Sequence, residues 1–228
     1  MEKLSKPEVI KIATETGDVS GYDLSGLDLR SVDLIAVKFR KCNLRSANLS
    51  SSNISMSDFE DADLSGCNLS SSNFIGANFK NARIEKSDLT FSSFSGSNFS
   101  GANLRGADFT NSRISSANFE NADLSEANLQ MTEAVLIRGT GAILQKIYAY
   151  GSSMIGADFS RADLRGAKLH GTDLNGANLS SANLRDAEII EATLRAADLT
   201  NADLRGAHLR ALDTIRARHE GAKTDSPL

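Results

Sequence analysis

Large apolar residues return at every fifth position of this chain, and one kind returns at every twentieth. From Leu24 to Leu209 almost every residue whose number ends in 4 or 9 is Leu, Ile or Phe. Phenylalanine stands at Phe39, Phe59, Phe79, Phe99 and Phe119, skips Gly139 and returns at Phe159. With the large apolar residue called i, position i−2 is mostly Ala, Ser, Cys or Thr, position i−1 is mostly Asp or Asn, and i+1 and i+2 are polar or Gly. In an extended segment alternate side chains share a face, so i−2 and i point inward together and i−1 points out. The two remaining residues turn a corner, for which Gly at i+2 (Gly66, Gly76, Gly106, Gly166) is suited.

Two periods, five and twenty, predict an all-β coil with four sides, each coil stacked on the last. At an inter-strand spacing of about 4.8 Å the regular units make a rod roughly 45 Å long with a dry, filled interior. Residues twenty apart lie one above another, so the Phe rings stack. Rods of this kind need closed ends. At the start, Ser5 and Glu8 form a capping box around Pro7, followed by Val9, Ile10, Ile12 and Ala13 and a Gly17 stop, which predicts a short helix over the first coil. At the other end Ala211–Arg218 is expected to form a second short helix, with a flexible polar tail to Leu228. The expected division is therefore 1–20 as helix and lead-in, 21–210 as the repeat, and 211–228 as helix and tail.

These tandem Ala-(Asp/Asn)-Leu-x-x units resemble the pentapeptide-repeat family over more than four-fifths of the chain. That resemblance implies a right-handed quadrilateral parallel β-helix, with i and i−2 inside. Some members mimic B-DNA and bind type II topoisomerases, so it also implies a protein partner such as DNA gyrase or topoisomerase IV. It suggests a homodimer through the C-terminal end as well, for which Leu212 and Ile215 are the candidate contacts.

A B-DNA mimic that binds DNA gyrase is the leading specific expectation and a generic scaffold or effector the alternative, and the surface decides between them. Asp23, Asp63, Asp123, Asp163 and Asp203 form the best candidate acidic face, all at i−1 on one side. Arg45, Arg105, Arg165, Arg185 and Arg205 follow it at i+1 and are expected to neutralise much of it. Asn at i−1 (Asn48, Asn68, Asn98, Asn118) reads as a ladder of amides satisfying backbone groups. The net charge is −4, from 25 basic and 29 acidic residues, too mild to point to direct nucleic-acid binding.

The least repetitive segment, 130–153, is either a projecting loop or a degenerate coil. The coil is preferred, because it restores both the beat and the Phe column, and because Ile137 with Gly139, Ala142 with Leu144 and Ile147 with Ala149 set small beside large. Arg138, Lys146, Tyr148 and Tyr150 in this segment are the candidate protein contact. Ile35, Ile75, Val135 and Ile155 share an outward i+1 column and make a second candidate patch.

Catalysis finds little support. His170, His208 and His219 are scattered, no metal-ligand or phosphate-loop spacing stands apart from the repeat, and no cofactor is implied. A β-helical carbohydrate enzyme is the remaining catalytic alternative. Cys42 and Cys67 occupy small inward positions on different sides and are expected to be buried thiols. With no apolar run of membrane-spanning length and no signal-peptide core, the expectation is a cytoplasmic interaction protein without a membrane segment.

Overall fold

In the computed structural model, which describes residues 1–225, backbone bridges join residues twenty apart from Lys3↔Asp23 to Asp203↔Lys223. All are parallel, and four columns of them run the length of the molecule, one for each side of the coil. The i amide donates to the i−1 carbonyl of the next coil, and that residue's amide donates back to i−2. Phe79 N to Asn98 O (2.6 Å) and Asn98 N to Ala77 O (2.9 Å) show the pattern. The result is a β-helical solenoid in which each coil is bonded only to its neighbours. Among the described residues one regular two-stranded ladder pairs β1 (Glu188–Ile190) with β2 (His208–Arg210).

Every residue at i+2 whose φ is positive, Gly or not, turns a corner in the left-handed region. Ser46 (φ 56°), Asp61 (φ 59°) and Phe91 (φ 58°) do so beside Gly66 (φ 67°). Glycine is the low-strain residue there, yet many corners go without it.

The interior is filled and stacked. Phe39, Phe59, Phe79, Phe99 and Phe119 form one column with successive centroids 4.8–4.9 Å apart and ring planes within 3–5° of parallel. Phe74 and Phe94 stack in the adjacent column at 5.1 Å. Where the column skips, a Cβ on Gly139 would meet the Phe159 ring at 2.8 Å, so the missing side chain makes room for the ring of the next coil. Buried serines at i−2 need partners, and they find them one coil back. Ser72 Oγ donates to Leu49 O (2.9 Å) and Ser97 Oγ to Phe74 O (2.8 Å). Cys42 and Cys67 do the same to Val19 O and Leu44 O; both are free, and burial pushes their thiols up to about 11 and about 12.

Helix α1 (Lys6–Thr16) sits as read from the sequence. The Ser5 N–H and hydroxyl both donate to the Glu8 carboxylate (2.7 and 2.6 Å), and Gly17 closes the last turn at φ 67°. The helix takes the place of two sides of the first coil, between the bridging residues Lys3 and Asp18. Its Val9 and Ala13 are buried on the core.

Two expectations resolve differently. Segment 130–153 is a coil: Glu133, Arg138, Ile143, Tyr148 and Ser153 all bridge in register, and Ile137, Leu144 and Ile147 are buried. The second helix is absent. Residues 211–218 continue the repeat, with Asp213 bridged to Thr193 and Arg218 to Asp198, and bridging extends to Lys223 rather than ending near 210. The physical reason is that Leu212, Thr214 and Ala217 keep the inward beat, and the open amides and carbonyls of the preceding coil outweigh local helix propensity. The end of the expected tail, 226–228, lies outside the described residues.

Candidate interaction surfaces

Ten residues are half a coil, so the four-sided geometry sorts the candidate contact residues at once. Lys146 turns a corner, Tyr148 lies on the next side and Tyr150 turns the following corner, so these three share one face. Arg138 bridges to Asn118 and Asp158 on the opposite side of the rod and does not join them. Its expected place beside the tyrosines is corrected accordingly.

Other residues, not read as contacts from the sequence, complete that face. Lys168, one coil on, holds its Nζ 5.6 Å from the Tyr148 ring centroid. His170 meets the Tyr150 ring edge-on at 4.7 Å, and its Nε2 lies 2.9 Å from the Glu188 carboxylate. Glu188 also pairs with Lys168 at 3.8 Å. Tyr148 is exposed while Tyr150 is half-buried. Twenty-residue spacing alone links Tyr148 to Lys168 and Tyr150 to His170, so the signal was present in the numbering.

The acidic column is real in register but broken in charge. Along it Lys3, Asn43, Arg83, Asn103, Ile143, Asn183 and Lys223 alternate with the aspartates. Arg45 pairs with Asp63 (2.6 Å), Arg165 with Asp163 (2.7 Å) and Arg205 with Asp203 (2.6 Å). The Arg205 hydrogen bonds hold the Asp203 carboxyl below its ordinary range. Burial raises Asp63, but the Ser65 hydrogen bonds and the charges of Arg45 and Arg83 outweigh it and leave it lowered. Asp163 is likewise lowered against burial by Arg165 and Gln145, and Asp23 by the hydroxyl and amide of Ser25. Asp123 accepts the Ser125 amide at 2.9 Å. These carboxylates spend their lone pairs on their own and adjacent coils. The asparagines on the other sides behave as expected: Asn98 Nδ2 donates to Asn78 Oδ1 (3.2 Å), and Asn48 Oδ1 accepts the Ser50 amide (3.0 Å).

At the C-terminal end Leu212 points inward and is half-buried, while Ile215 stands outward on a corner, 58% exposed. Among the described residues no group of His, Cys, Asp and Glu could hold a metal ion, and no helix is long and apolar enough to cross a membrane.

A solenoid of this period, built from five-residue sides, defines a class of repeat protein. The family model for pentapeptide repeats matches eight copies, over residues 28–66, 57–90, 92–130, 142–180 and 177–211, and the chain belongs to that family. Among solved structures it is similar to HetL, a pentapeptide repeat protein involved in heterocyst differentiation regulation from the cyanobacterium Nostoc sp. strain PCC 7120. The two are 24% identical with a TM-score of 0.69, over 96% of this chain and 94% of HetL. It also matches full-length QnrB1, a plasmid-mediated fluoroquinolone resistance protein, at 22% identity and a TM-score of 0.33, over 86% of this chain and 92% of that one. No curated protein matches the chain.

Proposed function

We propose that this protein is a non-catalytic, cytoplasmic interaction module, a right-handed rod that presents Tyr148, Tyr150, Lys168, His170 and Lys146 to a protein partner. The handedness follows the sense that parallel strand connections almost always take. The observation that carries the reading is the aromatic and cationic cluster itself. Tyr148 and Tyr150 are each held by a neighbour from the next coil, at 5.6 and 4.7 Å. Tyrosine anchors already ordered on a stiff scaffold lose little freedom on binding, which favours their use at contact centres. The test compares partner capture by the unmodified protein and by a Tyr148→Ala/Tyr150→Ala double variant. Loss of the captured partner supports the reading, and full retention sinks it.

The vertical register of Asp23, Asp63, Asp123, Asp163 and Asp203, together with a net charge of −4, favours a second reading, a B-DNA mimic directed at DNA gyrase or topoisomerase IV. Its weakness is the pairing of Asp63, Asp163 and Asp203 with arginine, since a groove that takes phosphates responds to uncompensated charge. Gyrase supercoiling assayed with micromolar protein decides the matter: protection or inhibition supports the mimic, and unchanged supercoiling removes it. An end-on homodimer through Leu212 and Ile215 is the rival assembly to the lateral contact argued below. It predicts that truncation after Leu209 halves the mass measured by light scattering.

A further inference from the structure

One side of the rod differs from the other three in chemistry. It carries Asn53, Asn73, Ser93, Arg113, Glu133 and Ser153 at i−1, and the only charges on it between Asp33 and Asp173, Arg113 and Glu133, pair with each other at 3.4 Å. The corner that follows it carries no charged residue from Ile35 to Gly176, and the corner that precedes it none from Ser50 to Gly151. The remaining corners are crowded with Arg, Lys, Asp and Glu.

Seven exposed large apolar side chains stand along these two uncharged corners. Ile35, Met56, Ile75, Leu136 and Ile155 stand on one, and Phe91 and Met131 on the other, with Met56, Phe91 and Met131 each 64% exposed and Leu136 59%. Phe91, Met131, Met56 and Leu136 all sit at positive φ, between 55° and 58°. That conformation suits Gly or Asn and is strained for large apolar side chains. Large apolar side chains held in strained backbone and pointed at water need a reason beyond the fold. Between the corners, next to Phe91, lies a groove of about 490 Å³ lined by Ser51, Ser71, Asn73, Asn111 and Arg113.

Four of these residues fall in mirror pairs, while Ile75 falls opposite Ser115 and Met131 opposite Ser51. About the level of Ser95 and Gly96, Ile35 mirrors Ile155, and Met56 mirrors Leu136, sixty and forty residues to either side. Phe91 falls on the same coil as the midpoint. Small Ser95, Gly96, Ser115 and Ser116 occupy the middle of the corner, where two backbones could approach.

We propose that this uncharged side is the contact between two copies of the chain, packed side by side and antiparallel about a twofold axis at the level of Ser95. A twofold contact requires a self-complementary patch, and this arrangement supplies one. Ile35 meets Ile155 of the second copy, Met56 meets its Leu136, and Phe91 lies over the groove beside Phe91 of the second copy. Arg113 comes opposite the second copy's Asn73, and Glu133 opposite its Asn53, so neither charge meets a like charge. From Ile35 to Ile155 the patch is about 29 Å long, at about 4.8 Å per coil. A patch of that length and one side wide is smaller than a standard-size interface, and weak association with a dissociation constant on the order of micromolar is expected.

The test is sedimentation of the full chain from about 1 to 200 µM, the span in which such a constant is read, together with oxidation of single-cysteine variants. The native thiols are buried, so an added surface cysteine reports alone. Ser95→Cys lies at the axis and is expected to give a disulfide-linked dimer, whereas Ser55→Cys, which faces residue 135 of the second copy, stays unlinked. Phe91→Asn with Leu136→Asn suits the corner backbone, so these variants fold, and they are expected to weaken association by roughly a hundredfold. Leu212→Asp is expected to leave it unchanged. A monomer at every concentration, a dimer indifferent to Phe91 and Leu136 but lost with Leu212→Asp, or equal linking of both cysteine variants would each overturn the proposal.

Discussion

The two ends of the rod solve the same problem in different ways. At the N-terminus α1 replaces two sides of the first coil and buries Val9 and Ala13 against it, so the stacked interior begins under a lid. Toward the C-terminus no helix is present among the described residues. The last described coil leaves Ala207, Leu209, Leu212 and Ala222 only partly buried, and its inward series ends in Thr214 and His219 where earlier coils have Leu or Phe. One end is closed by covering the apolar interior, the other by making the interior less apolar. A stack of nearest-neighbour contacts tolerates the second solution because only one coil bears its cost.

Removing each end should expose that asymmetry most strongly. Deleting residues 1–17 uncovers the first full coil, and a loss of several kcal/mol is expected, read as a fall of roughly 10 °C or more in Tm. Deleting residues 207–228 moves an open end back by one coil, and a change of only about 2–4 °C is expected. Equal shifts would break the comparison.

Side chains of the interior and the open end sharpen it next. Phe79→Ala removes a ring stacked on both neighbours and should cost about 3–5 kcal/mol in denaturant unfolding, while Leu209→Ala, already half in water, should cost less than about 1. Gly139→Ala should cost about 1–3 kcal/mol by overpacking, because its Cβ runs into the Phe159 ring. Phe91→Gly relieves a strained corner and should add roughly 1 kcal/mol to the stability of the monomer.

The smallest effect is expected from acid. Asp28, held at about 2 by the hydrogen bonds and charge of Arg30, lies near the closed end, and Asp203, lowered by Arg205, near the open one. A carboxyl lowered in the fold stabilises it above its ordinary value near 3.8 and loses that contribution as pH falls toward the folded value. Asp28 is exposed and Asp203 half-buried at the surface, where water screens their pairs, so Tm measured from pH 5 to pH 2.5 should decline modestly. Asp28→Asn and Asp203→Asn should each flatten that decline slightly.

Most of the architecture was legible because period and burial are the same fact in a stacked coil. The Phe column, the inward pairs and the Ser5–Glu8 box could each be read from spacing. The second helix was misread because Ala211–Arg218 is locally helix-compatible, and the ladder that overrides it comes from residues twenty positions earlier. Arg138 was set beside Tyr148 by nearness in sequence, although half a turn separates them. The corner strain at Phe91 and Met131 was hidden for another reason: nothing in a residue type other than Gly announces positive φ.

The register that aligns every column also makes the chain a ruler. Inserting a single residue between two coils would turn every later inward side chain toward water and every later i−1 carboxylate toward the axis. Inserting five would preserve the filled interior but rotate the remainder by a quarter turn, carrying the benzyl column onto a neighbouring wall and scattering each surface stripe. Only additions of a full twenty lengthen the molecule and leave its faces intact.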